Sequence, residues 1–503
     1  MNDSWFNSQS LLIFGQWLAA AFVLLVLIGI VSVGVMYVVD KIQTRHTIRR
    51  NYPFVGRFRY IFERMGEFMR QYFFAMDREE MPFNRAQRSW VYRAAKDSDR
   101  NIAFGSTRDL TRTGTIIFGN APFPPLAEQQ TQPEPVKIGP YCEQPYAPRS
   151  YFHISGMSYG ALSPVALKAL SHGAAKAGCW LNTGEGGLSP YHLSGQCDIV
   201  FQIGTAKFGV RSKDGKLDEG RLAELGRHDN VKMFEVKLSQ GAKPGKGGIL
   251  PGIKVNAEVA QIRGIEEGKD AISPNRHPEI SNNEELLDFI EKVRRITQKP
   301  VGFKFVMGDP GWIDELITAI LERGEASAPD FITLDSADGG TGAAPQPLMD
   351  YVGLKLSESL PILVDKLTEA GLKERIRVVC SGKMISPADV AWAIAMGADF
   401  IVSARGFMFS LGCIQAMQCN KNTCPTGVTT DDPRRQKGLD PVSKATRVAN
   451  YHKFLEYGVN IIAHSCGVTD PRALTRRQAR VIKPDGISIS LADRYPLPPV
   501  RRR

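Results

Sequence analysis

RVVCSGKMISPADVAWAIAMGADFIVSARG, residues 377–406, decides the fold class. Two short runs rich in β-branched residues, RVVCS (377–381) and DFIVSA (399–404), flank SPADVAWAIAMGA, which is typical of a helix. A strand, a helix and a second strand in this order predict two parallel strands joined by a crossover helix. Small and basic residues follow both strands, at Ser381–Gly382–Lys383 and at Ala404–Arg405–Gly406.

Six further runs of the same kind precede this unit and alternate with helical stretches. They are YFHIS (151–155), CWLN (179–182), DIVFQI (198–203), KMFEVKL (232–238), VGFKFV (301–306) and DFITLD (330–335). Eight alternating strands predict an α/β fold, and favour a closed (β/α)8 TIM barrel over an open doubly wound sheet. A Gly-, Pro- and Lys-rich insert, residues 239–283, separates the fourth and fifth strands and cannot be assigned to regular structure.

The N-terminal part of the chain predicts a membrane anchor. Residues 11–39 carry no charge and exceed the roughly 20 apolar residues that cross a bilayer core. A cleaved signal peptide is disfavoured because the first ten residues contain no Lys or Arg. Lys41, Arg45, Arg49 and Arg50 follow the apolar run, so the positive-inside rule predicts a single-pass protein of the inner (cytoplasmic) membrane. Residues 1–10 would be extracytoplasmic and the catalytic domain cytoplasmic.

The remaining segments have simpler interpretations. Residues 40–149 form a predicted juxtamembrane helical region and linker, whose amphipathic helices lie either near the membrane or on the main domain. The barrel is expected over 150–435, and a C-terminal helix with a basic tail over 436–503. The basic residues behind the formal net charge of +11 are interpreted as serving attraction to anionic lipid, so no nucleic acid partner is expected.

Residues at the expected C-terminal ends of the strands predict a site for a phosphate-bearing cofactor. Barrels often bind phosphate after strands seven and eight, where Ser381–Gly382–Lys383 and Ala404–Arg405–Gly406 occur. GMSYGALS (156–163), NTGEGG (182–187) and LDSADGGTGAA (334–344) add glycine-rich loops after strands one, two and six, with Glu185 flanked by glycines. Lys237, Gln240, Lys243, Lys246 and Lys254 lie in a loop suited to an anionic substrate such as a dicarboxylate, although a solvated flexible loop has the same composition.

Lys304 lies in the middle of an otherwise apolar strand, so its ammonium group needs an acceptor inside the barrel or a path to solvent. Two partners fit equally well. One is the N1/O2 edge of a flavin, and the other is Asp335 or another carboxylate at a strand end.

Three of the eight cysteines are clustered, with spacing C-x5-C-x4-C at Cys413, Cys419 and Cys424, and Pro425 follows. Such spacing ending in Cys-Pro favours iron–sulfur ligation over zinc, which prefers C-x2-C pairs, and over unliganded core thiols. Three ligands fit a 3Fe–4S cluster, or a 4Fe–4S cluster with a different fourth ligand. The cysteines at 142, 179, 197, 380 and 466 are scattered singly and are interpreted as structural.

Several long motifs together resemble the FMN-binding synthase domain of glutamate synthases, in its stand-alone bacterial form. They are GMSYGALS, NTGEGG, KLSQGAKPGKGGILPGIKV (237–255), ISPNRHPEI (272–280), DGGTGA (338–343) and CIQAMQCNKNTCPTGV (413–428), in the family's order. The resemblance implies FMN in the barrel, a 3Fe–4S cluster on the three cysteines, and reductive amination of 2-oxoglutarate or a related 2-oxo acid through an imine.

The resemblance also implies roles for individual residues. Glu185, Lys237, Gln240 and Lys243 would form the substrate side of the site. The residues that would hold the cofactor are Gly156, Met157, Ser158, Tyr159, Lys304, Ser336, Gly339, Gly340, Ser381, Gly382, Lys383, Ala404, Arg405 and Gly406.

The chain lacks a recognisable glutaminase or pyridine-nucleotide domain. We therefore expect another source to supply ammonia or an amine. Electrons would come from a ferredoxin-like donor or a membrane redox partner. An N-alkylglutamate synthase, an electron-transfer subunit and a membrane-anchored sensor or scaffold are the alternative functions. Oligomerisation is left open.

Overall fold

The computed structural model describes residues 8–98 and 101–500. The chain divides into two compact units, Met1–Ala86 and Gln87–Arg503. The first contains the apolar N-terminal segment, and the second contains the barrel.

The first unit begins with a long helix, Ser8–Ile42. Its segment Ser10–Ile42 has a mean hydropathy of 2.9 in its most apolar window, and none of that window is buried. Its length and composition are sufficient to cross a membrane, and a signal sequence near an N-terminus has the same two properties. Most of the segment predicted to be extracytoplasmic, residues 1–7, lies outside the described part of the chain.

A buried carboxylate ties this helix to the segment that follows it. Asp40 is fully buried, and Arg49 Nη2 lies 2.8 Å from its Oδ1 while Arg57 Nε lies 2.7 Å from its Oδ2. The Phe54 backbone N–H also donates to Asp40, at 3.1 Å. The short helix Thr47–Asn51 and the helix Val55–Met69 are thereby held at the end of the apolar helix. A π-helical turn, Arg70–Phe74, continues the second of these.

The second unit contains a closed barrel of eight parallel strands in chain order, which confirms the predicted TIM barrel. All eight predicted strands are present, with ends shifted by at most two residues. They are β1 (Phe152–Ile154), β2 (Leu181–Asn182), β3 (Ile199–Ile203), β4 (Val231–Lys237), β5 (Val301–Val306), β6 (Phe331–Asp335), β7 (Arg377–Ser381) and β8 (Phe400–Ser403).

Apolar side chains fill the N-terminal end of the barrel. Trp180, Phe331 and Phe400, at the starts of three strands, pack with Ile138 from the segment that precedes the barrel. This plug is consistent with a packed barrel interior, which leaves the C-terminal end for ligands.

Helices surround the barrel between and after its strands. Pro164–Ala177 packs against the closing helix Pro441–Ser465, which corresponds to the predicted C-terminal helix. The other helices of four or more residues that the structure describes in this unit, counting the one that begins at its boundary, are Arg85–Ala95, Pro190–Leu193, Glu219–Gly226, Ala257–Arg263, Asn283–Thr297, Gly311–Arg323, Gln346–Tyr351, Leu356–Glu369, Pro387–Ala395, Arg405–Leu411, Pro433–Gln436 and Leu491–Arg494.

Two regions are more ordered than the sequence predicts. The insert 239–283 contains a two-stranded antiparallel pair, Ile249–Leu250 with Ala271–Ile272, and the helix Ala257–Arg263. The C-terminal tail contributes two strands, Ala479–Ile482 and Ser488–Ser490, to a three-stranded antiparallel sheet with Ile116–Phe118. Short pairings of this kind carry no strong sequence period, because only a few residues of each strand contact the core.

Candidate active site

Two adjoining cavities lie at the C-terminal ends of the barrel strands. Gly156, Gln202, Lys237, Gln240, Gly340, Ala404 and Arg405 line both of them. The larger cavity also contacts Met157, Ser158, Glu185, Lys243, Arg263 and Cys419, and the smaller one contacts Lys304, Asp335, Ser381, Gly382 and Lys383. Most of the residues predicted from the loops are therefore brought to one place by the barrel.

Glu185 lies in a 3-10 turn after β2, between two glycines from other loops. A Cβ atom on Gly204 would lie 2.6 Å from the Glu185 Cβ, and one on Gly248 would overlap Glu185 Oε1. Neither position can accept a side chain without moving the glutamate. The two glycines therefore fix the carboxylate inside the cavity, which the sequence indicated only as glycine-rich loops.

Lys237, at the end of β4, connects Glu185 to Gln240 in the loop that follows. Its Nζ lies 2.9 Å from Glu185 Oε1 and donates to Gln240 Oε1 at 2.5 Å. Gln240 Nε2 in turn donates to Thr341 Oγ1, at 3.2 Å. The Lys237 carbonyl oxygen is 3.0 Å from His277 Nε2, and burial lowers the pKa of that histidine to about 4, so it is neutral near pH 7.

Three cations surround Glu185 in the larger cavity. Burial alone would raise the pKa of Glu185, but the positive charges of Lys237, Lys243 and Arg263 outweigh it and hold the pKa below its usual value. Burial, together with the charge of Lys237, lowers the pKa of Lys243 to about 8. The cavity thus carries an excess of positive charge over the single carboxylate, as a site for an anionic ligand requires.

Arg263 belongs to this site although the sequence interpretation missed it. Burial lowers its pKa to about 10, and its Nη2 donates to the Tyr159 carbonyl oxygen at 3.0 Å. Its Nε is buried and makes no hydrogen bond within the described chain. The helix Ala257–Arg263 lies in an insert that cannot be assigned from sequence, so the available signal was only an arginine among apolar residues.

Lys304 is paired with a carboxylate, which is one of the two predicted partners. Lys304 Nζ lies 3.1 Å from Asp335 Oδ2, and the same oxygen accepts a 2.9 Å hydrogen bond from the Gly241 backbone N–H. Burial would lower the pKa of Lys304, but Asp335, Glu235 and Glu185 together raise it. Lys304 still lines the smaller cavity, so its ammonium group stays charged beside any ligand bound there.

Glu235, on β4, is a second residue that the sequence interpretation missed. Its carboxylate accepts hydrogen bonds from Asn182 Nδ2 at 2.9 Å, from Gln202 Nε2 at 2.6 Å and from Thr333 Oγ1 at 2.5 Å. These four side chains form a buried polar network across four strands. A carboxylate in the middle of FEVK resembles an ordinary alternating strand residue, so no separate signal marks it in the sequence.

Four residues predicted to bind the cofactor lie outside the lining of both cavities, as far as the described residues show: Tyr159, Ser336, Gly339 and Gly406. The Tyr159 hydroxyl donates to Glu258 Oε2 at 2.5 Å, and the Ser336 hydroxyl donates to Asp338 Oδ1 at 2.5 Å. Both side chains therefore stabilise loops behind the site. The sequence predicts that these loops lie near the site, but it does not show which of their side chains point into it.

The cysteine loop reaches the larger cavity through one residue. Cys419 lines the cavity, and its Sγ lies 3.8 Å from Arg405 Nη1. Cys413 and Cys424 are buried, and burial raises the pKa of Cys413 to about 11. All eight cysteines are free thiols, and no group of three or more metal-ligating side chains is assembled around a common point in the described residues.

A family model described as "Conserved region in glutamate synthase" matches residues 126–469. This range contains the whole barrel and the cysteine loop. The chain belongs to the glutamate synthase family.

Relatives within the glutamate synthase family differ in how much of their length is shared. The chain is 41% identical over 509 residues to the glutamate synthase large subunit-like protein YerD of Bacillus subtilis (strain 168), covering 92% of this chain and 96% of YerD. It is 35% identical over 333 residues to an archaeal glutamate synthase [NADPH] of Methanocaldococcus jannaschii, covering 65% of this chain and 61% of that protein. As a member of the glutamate synthase family, the protein is an enzyme of the oxidoreductase class.

Among solved structures, the fold is similar to that of a mutant flavocytochrome b2 with benzoylformate. The TM-score is 0.45 and the sequence identity is 12%, with 78% of each chain covered.

Proposed function

We propose that this protein is a membrane-anchored FMN and iron–sulfur oxidoreductase that reductively aminates 2-oxoglutarate or a related 2-oxo acid. One observation carries the proposal: Cys419 lines the same cavity as Glu185, Lys237, Lys243 and Arg263. The cysteine loop and a cavity with an excess of positive charge thus meet at the C-terminal end of the barrel, where TIM-barrel enzymes bind their ligands.

The smaller cavity fits the FMN that membership of the family implies. Gly382 follows β7 with φ +127°, and a Cβ atom there would overlap Ser336 Cβ, so this turn requires a glycine. A turn without a side chain can present its backbone N–H groups to a phosphate. Residues 381–383 and 404–405 would hold the phosphate, and Lys304 would supply positive charge to the bound flavin. When bound, FMN supplies hydride transfer.

The larger cavity is suited to a dicarboxylic oxo acid. Arg263 has a buried Nε without a hydrogen-bond partner in the described chain, and Lys243 forms no ion pair there. Both cations can bind carboxylate groups, which would compensate for the cost of burying them. Condensation of the oxo carbon with ammonia releases water, and the imine carbon then accepts a hydride while its nitrogen accepts a proton.

Glu185 and Lys243 would share the handling of charge and protons at the nitrogen. The 2.9 Å pair with Lys237 holds the Glu185 carboxylate ionised, so Glu185 would bind and orient the nitrogen source through its negative charge. Lys243, with a pKa of about 8, would exchange a proton with the ammonium or imine nitrogen near neutral pH. The pair and Gln240 would also keep the substrate aligned in the cavity.

The three clustered cysteines would supply the ligands of an iron–sulfur cluster. They form no disulfide, they lie within one loop, and Cys413 and Cys424 are shielded from solvent. The described residues do not gather them around a common point, so the loop would draw them together on the cluster. Cys413, Cys419 and Cys424 would be the ligands, and a 3Fe–4S cluster is favoured because there are three of them. The Arg405 guanidinium near Cys419 would stabilise the negative charge of a bound cluster.

The helix Ser8–Ile42 supports membrane anchoring, because it presents its apolar side chains without burying them against the protein. In this proposal it spans the cytoplasmic membrane once, and the barrel lies on the cytoplasmic side.

The experiment is anaerobic photoreduction of the flavin in the detergent-solubilised full chain, followed by 2-oxoglutarate with and without ammonium. Flavin absorbance should return to the oxidised form only when both are present. Methylamine in place of ammonium tests an N-alkylglutamate product. A flavin that stays reduced with every combination would overturn the proposed reaction and favour an electron-transfer subunit.

Glu185→Gln supplies the internal control for this experiment. It should bind flavin to the same occupancy and reoxidise at least about 100-fold more slowly, because the neutral amide no longer orients the nitrogen source by its charge. An unchanged reoxidation rate in this variant would remove Glu185 from the reaction.

A further inference from the structure

The helix Val55–Met69, which follows the apolar N-terminal helix, exposes an apolar face of its own. Its large apolar side chains Val55, Phe58, Ile61, Phe62, Met65, Phe68 and Met69 are each between 40% and 64% exposed. At about 100° per residue, these seven positions fall within an arc of about 140° on one side of the helix. Soluble proteins seldom leave such an apolar face uncovered.

Charged residues are ordered around this arc. Arg57 and Arg64 lie along one border of the apolar arc and Arg59 lies along the other, whereas Glu63 and Glu67 lie on the far side. Arg64 and Arg59 can extend their charged ends to lipid head groups while their stems remain in apolar surroundings, whereas Arg57 is paired with Asp40. Acidic residues at the same borders would be repelled by anionic lipid, and both glutamates of the helix lie away from these borders.

The position of the helix is fixed relative to the apolar helix that precedes it. Asp40, near the end of that helix, is paired with Arg57 in the first turn of Val55–Met69, and accepts the Phe54 N–H. A buried, multiply paired carboxylate holds the two helices in one arrangement. The apolar face therefore begins where the candidate membrane span ends.

We infer that Val55–Met69 is an interfacial helix, which lies in the surface of an anionic lipid bilayer with Phe58, Phe62 and Met65 among the acyl chains. The inference rests on the proposed membrane anchoring. Residues 41–74 contain eight Lys and Arg residues against two Glu residues, which favours an anionic lipid surface over a second copy of the same basic face.

The test measures depth in the bilayer with the full chain in nanodiscs that contain anionic lipid. Single tryptophans are introduced as Phe62→Trp on the apolar face, Glu67→Trp on the opposite face and Leu25→Trp in the middle of the N-terminal helix. Quenching by lipids brominated near the head group or near the chain end is measured for each variant, and the parent protein's signal is subtracted. Phe62→Trp should be quenched best by the shallow bromine, Leu25→Trp by the deep one, and Glu67→Trp by neither.

The three positions separate the possible failures. Quenching at position 25 without quenching at position 62 would overturn the interfacial helix and leave the anchor intact. Absence of quenching at position 25 would overturn the anchor itself. A blue-shifted but unquenched tryptophan at position 62 would show that protein covers the face, and would also overturn the inference.

Discussion

Gly248 and Glu185 contact each other so closely that no side chain fits between them, since a Cβ atom on Gly248 would overlap Glu185 Oε1. Gly248→Ala must therefore displace the carboxylate or the loop that carries the glycine. We expect turnover to fall about 100-fold, which is the usual cost of displacing a catalytic group by about 1 Å. Steady-state kinetics measure the loss. Gly308→Ala is the matched control, because nothing lies within 4 Å of its Cβ position; equal losses in the two variants would contradict the explanation.

The pKa of Lys243, lowered to about 8, predicts a pH-dependent affinity for the oxo acid. The ammonium form exists below that pKa and is lost above it, so the Kd for 2-oxoglutarate should rise as pH increases through about 8. Perturbation of the flavin spectrum measures the Kd at each pH. Lys243→Arg should remove the dependence, because arginine stays charged across this range.

Glu185 should affect the same titration. Its carboxylate raises the pKa of Lys243, so Glu185→Gln should lower that pKa further and shift the pH dependence of the Kd to lower pH. An unshifted profile would show that the two groups are not coupled.

Removal of one member of the buried Lys304–Asp335 pair should destabilise the barrel. Lys304→Met leaves Asp335 without its cation, and breaking a buried pair costs about 3–5 kcal/mol in the free energy of unfolding. Urea unfolding of the detergent-solubilised protein measures the change. The double variant Lys304→Met, Asp335→Asn should recover part of the loss, and a double variant as unstable as the single one would refute the charge explanation.

The proposed cluster ligands predict selective loss of iron. Cys419→Ser should remove most of the iron and acid-labile sulfide while leaving flavin bound, because the smaller cavity does not include the cysteine loop. Cys466→Ser, at a buried cysteine outside that loop, should keep its iron. Full retention of iron in the Cys419 variant would eliminate this residue as a ligand.

The barrel could be predicted from sequence because its eight strands are buried and separated by helices, which gives a strong alternation. Glu185 and Lys237 could be anticipated because strand ends converge at one end of a barrel. Arg263 could not, because it comes from a helix inside an irregular insert. Glu235 and the loop contacts of Tyr159 were also missed, since both depend on which way a side chain points after the strands have closed.

The small sheet that joins Ile116–Phe118 to Ala479–Ile482 also constrains the order of folding. The whole barrel lies between these two strands in the sequence, so during synthesis the first strand has no partner until almost the entire chain has been made. Its backbone N–H and C=O groups remain available to other chains over that interval. A shortened protein that ends before residue 479 would keep this exposed edge permanently, whereas one that begins after residue 118 would transfer the exposed edge to the tail.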